Sequence, residues 1–144
     1  MSYIKFNSNC SSQYVYRIND VVIKKYNKTN AGWGRFKNEI NFLYNFSKYK
    51  NFPKLLRYDY KNFKLYMSYC GSNLTKKNLP NNWSKQIKEI SDLLKLYKIE
   101  LLDLQPKNIT CLNDTIYLID FDSYRFNENY DNFNKLYNIF KNIC

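Results

Sequence analysis

The sequence predicts an α+β protein with a β-rich N-terminal lobe, about 1–70, and a helical C-terminal lobe, about 71–144. The first observation is the order of the hydrophobic patterns: strands, a helix, more strands, a helix, a small hairpin and a last helix, without regular βαβ alternation. The second is the length of 144 residues, which suits one domain over 1–144 rather than two. The third is the 44% of apolar residues, which is enough for a buried core.

Apolar and β-rich runs separated by polar turns predict the strands. An N-terminal hairpin comes first, then two strands joined by a polar turn, and later a small hairpin that turns at Asn113-Asp114. These strands are expected at Tyr14–Tyr16, Val21–Ile23, Leu55–Tyr58, Phe63–Tyr69, Asn108–Leu112 and Thr115–Ile119.

Apolar residues at a 3.6-residue spacing predict three helices. The first is expected over about Arg35–Tyr49, with Gly32 and Gly34 preceding it. The second is expected over about Trp83–Lys98, where isoleucines and leucines form an apolar stripe. A C-terminal helix follows from the spacing of the apolar residues over 133–140.

The absence of histidine excludes every mechanism that needs a histidine base, a histidine metal ligand or a Ser-His-Asp triad. Glycine occurs only at Gly32, Gly34 and Gly71, so a phosphate loop built from glycines is not available in its usual form. The four cysteines are widely spaced and form no Cys-x-x-Cys pair, which favours free thiols in a reducing compartment.

No apolar run approaches the roughly 20 residues that cross a bilayer, and the first residues lack the apolar segment of a signal peptide. We therefore expect an intracellular, cytoplasmic protein without a membrane partner. Heavy use of Asn, Lys, Tyr and Ile indicates AT-rich codons, as in some large DNA viruses or parasites. For a viral protein the expected location is the host cytoplasm.

The net charge of +11 would suit contact with nucleic acid, an anionic membrane or an acidic protein. The lysines are scattered, however, and only Lys24-Lys25 and Lys76-Lys77 form doublets. A solvated basic surface is the preferred interpretation, and a nucleic-acid face is a possible but less favoured one. Aromatic residues, 19% of the chain, could stack on bases, but they follow helix and strand periods and are assigned to the core.

A lysine and a glutamate occupy positions that their apolar surroundings do not predict. Lys24 closes the apolar strand Val21–Ile23, and Glu39 borders the apolar face of the first helix. A carboxylate at such a position either tilts into solvent or meets a cation, and Lys24 is the natural candidate.

Two further polar groups follow apolar segments in the second half. Asp103 and Asn108 stand five residues apart in a loop constrained by Pro106, and Asp120 and Asp122 end an apolar strand. These residues could simply cap turns or lie in solvent. An apolar strand that ends in two carboxylates is nevertheless typical of a metal site.

In chain order these segments resemble the motifs of the protein-kinase-like superfamily from about Tyr14 to Phe126. Glu39 is placed like that family's helix αC glutamate. The matching segments are Val21-Val22-Ile23-Lys24 for V-A-I-K, Leu65–Gly71 for the strand into the hinge, Asp103–Asn108 for D-L-x-P-x-N, and Asp120–Asp122 for D-F-G.

The resemblance implies a minimal two-lobed protein-kinase-like fold with a truncated helical C-lobe, and a site for ATP and Mg²⁺ or Mn²⁺. Lys24 would hold the α- and β-phosphates and Glu39 would hold Lys24. Asp103 would orient the acceptor hydroxyl and take its proton. The expected metal ligands are Asn108 and Asp120, and the expected nucleotide contacts are Val15 and the backbone of Ser68, Tyr69 and Cys70.

Several departures from the family pattern bear on the function. Asp122 replaces the glycine of D-F-G, and Gln105 stands where many serine/threonine kinases have lysine. No A-P-E motif follows Asp122, so by this resemblance we expect most of the lobe that docks protein substrates to be missing. The loop glycines are replaced by Ser8, Cys10 and Gln13, and the usual His-Arg before the catalytic aspartate is Leu101-Leu102.

The functional hypothesis is an ATP- and Mg²⁺-dependent phosphotransferase, a minimal kinase that acts on a protein hydroxyl. A small-molecule kinase and a pseudokinase scaffold are the alternatives, and a basic nucleic-acid-binding domain is a third class. Besides ATP, the expected partners are a protein substrate or regulator and, to cover exposed apolar surface, a second copy in a homodimer.

Overall fold

The computed structural model describes residues 12–144 and confirms the α+β class. By their contacts, the residues form two compact units that divide between Tyr69 and Cys70. No helix among the described residues combines the length and the apolar character needed to cross a membrane. Cys70, Cys111 and Cys144 are free thiols, as expected, and burial raises the pKa of Cys111.

The first unit contains a four-stranded antiparallel sheet and one helix. The sheet order is β1-β2-β4-β3, so the predicted hairpin and the predicted strand pair lie in one sheet. A core of Phe36, Phe42, Leu43, Phe46 and Phe52 is almost fully buried. The elements are β1 (Ser12–Ile18), β2 (Val21–Tyr26), α1 (Asn30–Phe46), β3 (Leu55–Asp59) and β4 (Lys64–Ser68).

Helix α1 begins five residues before the predicted start, so the placement of Gly32 and Gly34 ahead of the helix was wrong. The Thr29 side chain caps the helix by accepting a hydrogen bond from the Gly32 N–H at 3.0 Å. A Cβ on Gly32 would lie 1.9 Å from the carbonyl oxygen of Asn27. Gly32 is therefore required by a close backbone approach and does not act as a helix breaker.

The second unit packs helices against short strands. Its elements are β5 (Ser72–Asn73), α2 (Trp83–Leu96), β6 (Ile99–Leu101), β7 (Ile109–Leu112), β8 (Thr115–Leu118), β9 (Tyr124–Phe126) and α3 (Phe133–Ile143). They form a β5-β7-β8 sheet and a β6-β9 pair. The rings of Trp83 on α2 and Phe140 on α3 stack with centroids 5.5 Å apart. The two helices and the β7–β8 hairpin match the prediction, whereas β5, β6 and β9 were not predicted.

Buried amide side chains fix the strands of the second unit. Gln86 on α2 accepts a hydrogen bond from the Ile116 N–H at 2.9 Å and donates to the Asp114 carbonyl at 2.7 Å. Asn132, directly before α3, donates to the Ile99 carbonyl at 2.8 Å and accepts from the Leu101 N–H at 3.2 Å. Each amide therefore hydrogen-bonds one backbone N–H and one backbone carbonyl, which helps to satisfy the polar groups of these strands and turns.

Gly71 begins the second unit in a conformation that favours glycine. Its φ is +90°, and a Cβ there would lie 2.0 Å from the carbonyl oxygen of Cys111 on β7. Next to it, the Thr110 hydroxyl donates to the Cys70 carbonyl at 2.6 Å. The glycine lets β5 approach β7 closely and explains why the apolar pattern breaks at this point.

Candidate functional site

The central feature of the first unit is a buried ion pair between β2 and α1. The Nζ atom of Lys24 lies 3.2 Å from each carboxylate oxygen of Glu39. Lys24 is 6% exposed and Glu39 is 1% exposed. The predicted pairing is confirmed, although Lys24 lies within β2 and does not close it.

A tyrosine that the sequence pattern did not single out completes this group. Tyr26 is fully buried, and its hydroxyl donates to Glu39 Oε2 at 3.2 Å. The Lys24 Nζ atom lies 5.1 Å from the centre of the Tyr26 ring, within range of a cation–π interaction. The signal was present in the sequence, because residues two apart on a strand share a face of the sheet.

Stability alone does not explain this buried pair. Removing two charges from water costs several kcal/mol per ion, and apolar residues of similar volume are often as stable or more stable. Here both partners are buried and reach each other from different elements. The pair therefore fixes the position of an ammonium group, which offers three hydrogen-bond donors to anionic ligands.

The second unit brings together the aspartate and the asparagine of the predicted catalytic loop. Asn108 Nδ2 donates to the Asp103 carbonyl at 2.8 Å and to Asp103 Oδ2 at 3.1 Å. The Gln105 side chain donates to the other carboxylate oxygen of Asp103. A short 3₁₀ helix over Pro106–Asn108 sets this spacing, with proline at its start.

The same loop is linked to the strand that carries the acidic pair. The Ile119 N–H donates to the Asn108 carbonyl at 2.9 Å, so the residue before Asp120 lies beside the loop. Asn108 is buried and Asp103 is half-buried, so the hydrogen bonds between them are partly shielded from water. One hydrogen-bonded region of the second unit therefore holds both motifs.

The two carboxylates of the Asp-Phe-Asp segment lie close together. A carboxylate oxygen of Asp120 and one of Asp122 are within 4.8 Å of each other, and Asp122 is buried. Asp120 has φ +70°, a left-handed conformation that costs energy for a residue with a Cβ. Phe121 between them is buried. Such an oxygen pair matches the ligand preference of Mg²⁺.

The segment predicted to contact adenine is already partly used in backbone pairing. The Ser68 N–H donates to the Lys54 carbonyl and the Tyr69 N–H to the Asp20 carbonyl, both at 2.9 Å. The guanidinium of Arg17 lies 3.3 Å from the centre of the Tyr69 ring. These two N–H groups already donate to carbonyls of the first unit. They are therefore not available as donors to adenine in this structure, and the prediction of adenine contacts is limited to the other backbone groups of Ser68, Tyr69 and Cys70.

The remaining predicted nucleotide contact is Val15, which follows the residues that stand in place of the family's loop glycines. Val15 lies on β1, directly opposite Lys24 in the strand register, and is half-buried. Ser8 and Cys10 lie outside the described residues, as does the side chain of Gln13.

The predicted catalytic and metal-binding residues thus form two sets, and each of these two sets lies within one unit. Lys24 and Glu39 belong to the first unit, while the loop and the Asp-Phe-Asp segment belong to the second. No family model matches the chain, and no curated protein matches it significantly. The interpretation of both sets therefore rests on their own chemistry.

Proposed function

We propose that this protein is an ATP- and Mg²⁺-dependent phosphotransferase. The observation that carries the proposal is the buried pair of Lys24 and Glu39. In this role Lys24 neutralises the α- and β-phosphates of the nucleotide, and Glu39 holds the ammonium in place. Phosphoryl transfer depends mainly on positioning and charge neutralisation, so a fixed ammonium is a large part of what the reaction needs.

The second set supplies the remaining groups. Asp120 and Asn108 act as oxygen ligands of Mg²⁺ or Mn²⁺, with Asp122 as an additional carboxylate nearby. Asp103 orients the acceptor hydroxyl and accepts its proton. The proposal requires both sets to act on one nucleotide, and this requirement is tested by variants in each set.

The proposed acceptor is a protein hydroxyl, with a small-molecule hydroxyl as the alternative. A second candidate function, nucleotide binding without transfer as in a pseudokinase, is favoured by one observation. Both carboxylate oxygens of Asp103 accept hydrogen bonds, from Gln105 and from Asn108. These bonds use part of the acceptor capacity that a catalytic base needs.

The decisive assay follows transfer of labelled γ-phosphate from ATP, with Mg²⁺ or Mn²⁺, to a basic protein, an acidic protein and the chain itself. Lys24→Met and Asp120→Asn are the test variants. Lys25→Met is the matched control for the first, because Lys25 is the next residue of β2 and is less buried. Asp114→Asn, in the exposed β7–β8 turn, is the control for the second.

The expected result is transfer that both test variants abolish and both controls retain. If the wild-type chain transfers no phosphate but binds ATP in a metal-dependent way, and Lys24→Met loses this binding, the pseudokinase function replaces the enzymatic one. If the wild-type chain neither transfers phosphate nor binds ATP, the proposal is wrong.

A further inference from the structure

The positive charge of the chain is concentrated in one unit. Residues 1–69 contain thirteen Lys and Arg against three Asp and Glu, a net charge of +10. Residues 70–144 contain ten against nine, a net charge of +1. The cations that look scattered along the whole sequence therefore belong to a strongly basic first unit and a nearly neutral second unit.

Most of these cations are on the surface. Among the described residues of the first unit, Asp20 is the one exposed carboxylate. Asp59 is half-buried, and hydrogen bonds from the Asn62 side chain lower its pKa. The exposed cations are Lys28, Arg35, Lys37, Lys48, Lys50, Lys54, Arg57 and Lys61.

Three aromatic side chains assigned to the core from the sequence lie partly in solvent. Trp33 on α1 is 36% exposed, Tyr58 on β3 is 43% exposed, and Tyr60 in the following turn is 49% exposed. The rings are contiguous: the centroids of Tyr58 and Tyr60 are 5.0 Å apart, and those of Tyr60 and Trp33 are 5.7 Å apart. Helix and strand periodicity did not predict this exposure: Tyr58 lies on β3, an edge strand whose three central residues are exposed, and Tyr60 lies in the turn after it.

Cations border these rings and complete an aromatic–cationic patch. The Lys37 Nζ atom lies 5.5 Å from the centre of the Trp33 ring, one helical turn along α1. Lys61 follows Tyr60 directly and is exposed. The patch therefore consists of Trp33, Lys37, Tyr58, Tyr60 and Lys61.

We propose that this patch binds single-stranded nucleic acid. Exposed rings can stack on unpaired bases, and the surrounding ammonium groups can contact the phosphates, which is the combination that single-strand binders use. Charge complementarity selects a polyanion, because the whole unit carries +10. A duplex or a lipid headgroup would use the charges but leave the rings without bases to stack on.

The test measures fluorescence anisotropy of labelled oligo(dT) and oligo(U) against protein over a salt series, without ATP. We expect saturable binding that weakens with salt. Tyr58→Ala should weaken binding about 5- to 100-fold, because one stacking contact is lost. Lys37→Ala should reduce the slope of log K against log salt by about 0.7, the value for one phosphate contact on a single strand.

Matched variants in the second unit separate this patch from general charge. Lys76→Ala removes one exposed cation and Phe126→Ala removes one exposed ring outside the patch. Both should bind like the wild type. Urea denaturation of each variant verifies that it is folded, and Tyr58 is exposed enough for its truncation to be tolerated.

A second readout reports stacking itself. The chain has two tryptophans, so Trp83→Phe leaves Trp33 as the one source of tryptophan fluorescence. Oligo(dT) should quench it, while a duplex of equal length should quench it little.

Equal affinity for duplex and single strand would overturn the proposal, and so would binding that Tyr58→Ala and Lys37→Ala leave unchanged. Binding to phosphatidylserine vesicles that single-stranded DNA does not compete away would also overturn it, in favour of a membrane surface. None of these outcomes depends on phosphotransfer.

Discussion

The two units bury polar side chains for different reasons. In the second unit, the amides of Gln86 and Asn132 pair with backbone N–H and carbonyl groups of nearby strands. In the first unit, Lys24 and Glu39 are equally buried but pair with each other. The burial of the amides is explained by the backbone groups that they bind, whereas no such structural need explains the burial of the ion pair.

This difference shows which buried polar groups point to a function. A buried amide that satisfies the backbone stabilises the fold and needs no ligand to explain it. A buried ion pair gives little or no net stability, so an additional role for the ammonium is the better explanation. Variants of the ion pair and of the amides test whether the two kinds of buried group differ in this way.

The largest expected effect is that of Lys24→Ala, which leaves the Glu39 carboxylate buried without its cation. Removal of one partner of a buried pair typically costs about 3–5 kcal/mol, and the free energy of unfolding should fall by that amount. Urea denaturation followed by circular dichroism measures it. A loss below about 1 kcal/mol would mean that the carboxylate is effectively solvated.

The double variant Lys24→Met, Glu39→Leu tests whether the ion pair as a whole stabilises the fold. Both charges are then removed and replaced by apolar groups, so the free energy of unfolding should stay within about 1 kcal/mol of wild type or rise. A loss as large as that of Lys24→Ala would show that the pair is structural, like the amides of the second unit.

The amide contrast is tested by Gln86→Ala. Truncation leaves the Ile116 N–H and the Asp114 carbonyl without this partner, at about 1–3 kcal/mol for each group that stays buried. Because Asp114 lies in an exposed turn while Ile116 is buried, we expect a loss of about 1–3 kcal/mol in the urea assay. A loss below about 0.5 kcal/mol, roughly the effect of a surface substitution, would show that the Gln86 hydrogen bonds do not stabilise the fold.

An ion pair that is more exposed than Lys24 and Glu39 predicts a pH dependence in the second unit. Arg125 beside Glu100 lowers the pKa of Glu100 below its ordinary value of 4.5, and Asn127 adds a hydrogen bond. The pair therefore stabilises the folded state above about pH 4.5 and loses this contribution as the pH falls through the lowered pKa. Glu100→Gln should be less stable than wild type at pH 7, with the difference shrinking below pH 4.5. A constant difference across this range would contradict the assignment.

A glycine pair on α1 gives a smaller effect in the first unit. A Cβ added to Gly34 would have no other atom within 4 Å, so Gly34→Ala should raise the free energy of unfolding by about 0.5–1 kcal/mol. Gly32→Ala is the matched control and should lower it, because of the close Asn27 carbonyl. Differential scanning calorimetry of both variants also shows whether one or two thermal transitions respond.

The sequence predicted the features that local patterns determine. The α+β class, the strands of the first sheet and helix α2 follow from hydrophobic periodicity. The pairing of Lys24 with Glu39 followed from two charged residues on apolar elements. The sequence also placed Asp103 and Asn108 in one loop constrained by Pro106, and the structure shows that the two side chains are hydrogen-bonded to each other.

Features that depend on distant partners could not be predicted in the same way. Strands β5, β6 and β9 have two or three residues each, and pairing across the chain defines them. Asn132 is an unremarkable polar residue until its backbone partners, more than 30 positions away, are known. The exposure of the Tyr58 and Tyr60 rings depends on which other parts of the chain pack against them, and the sequence pattern does not show this.

The most direct test of the central claim is the binding of MgATP by isothermal titration calorimetry to the wild type, to Lys25→Met and to the double variant Lys24→Met, Glu39→Leu. The account predicts that the wild type and Lys25→Met bind MgATP with similar affinity, while the folded double variant has lost binding at least 10-fold. Unchanged MgATP binding by the folded double variant would contradict the claim that the buried pair exists to hold phosphate.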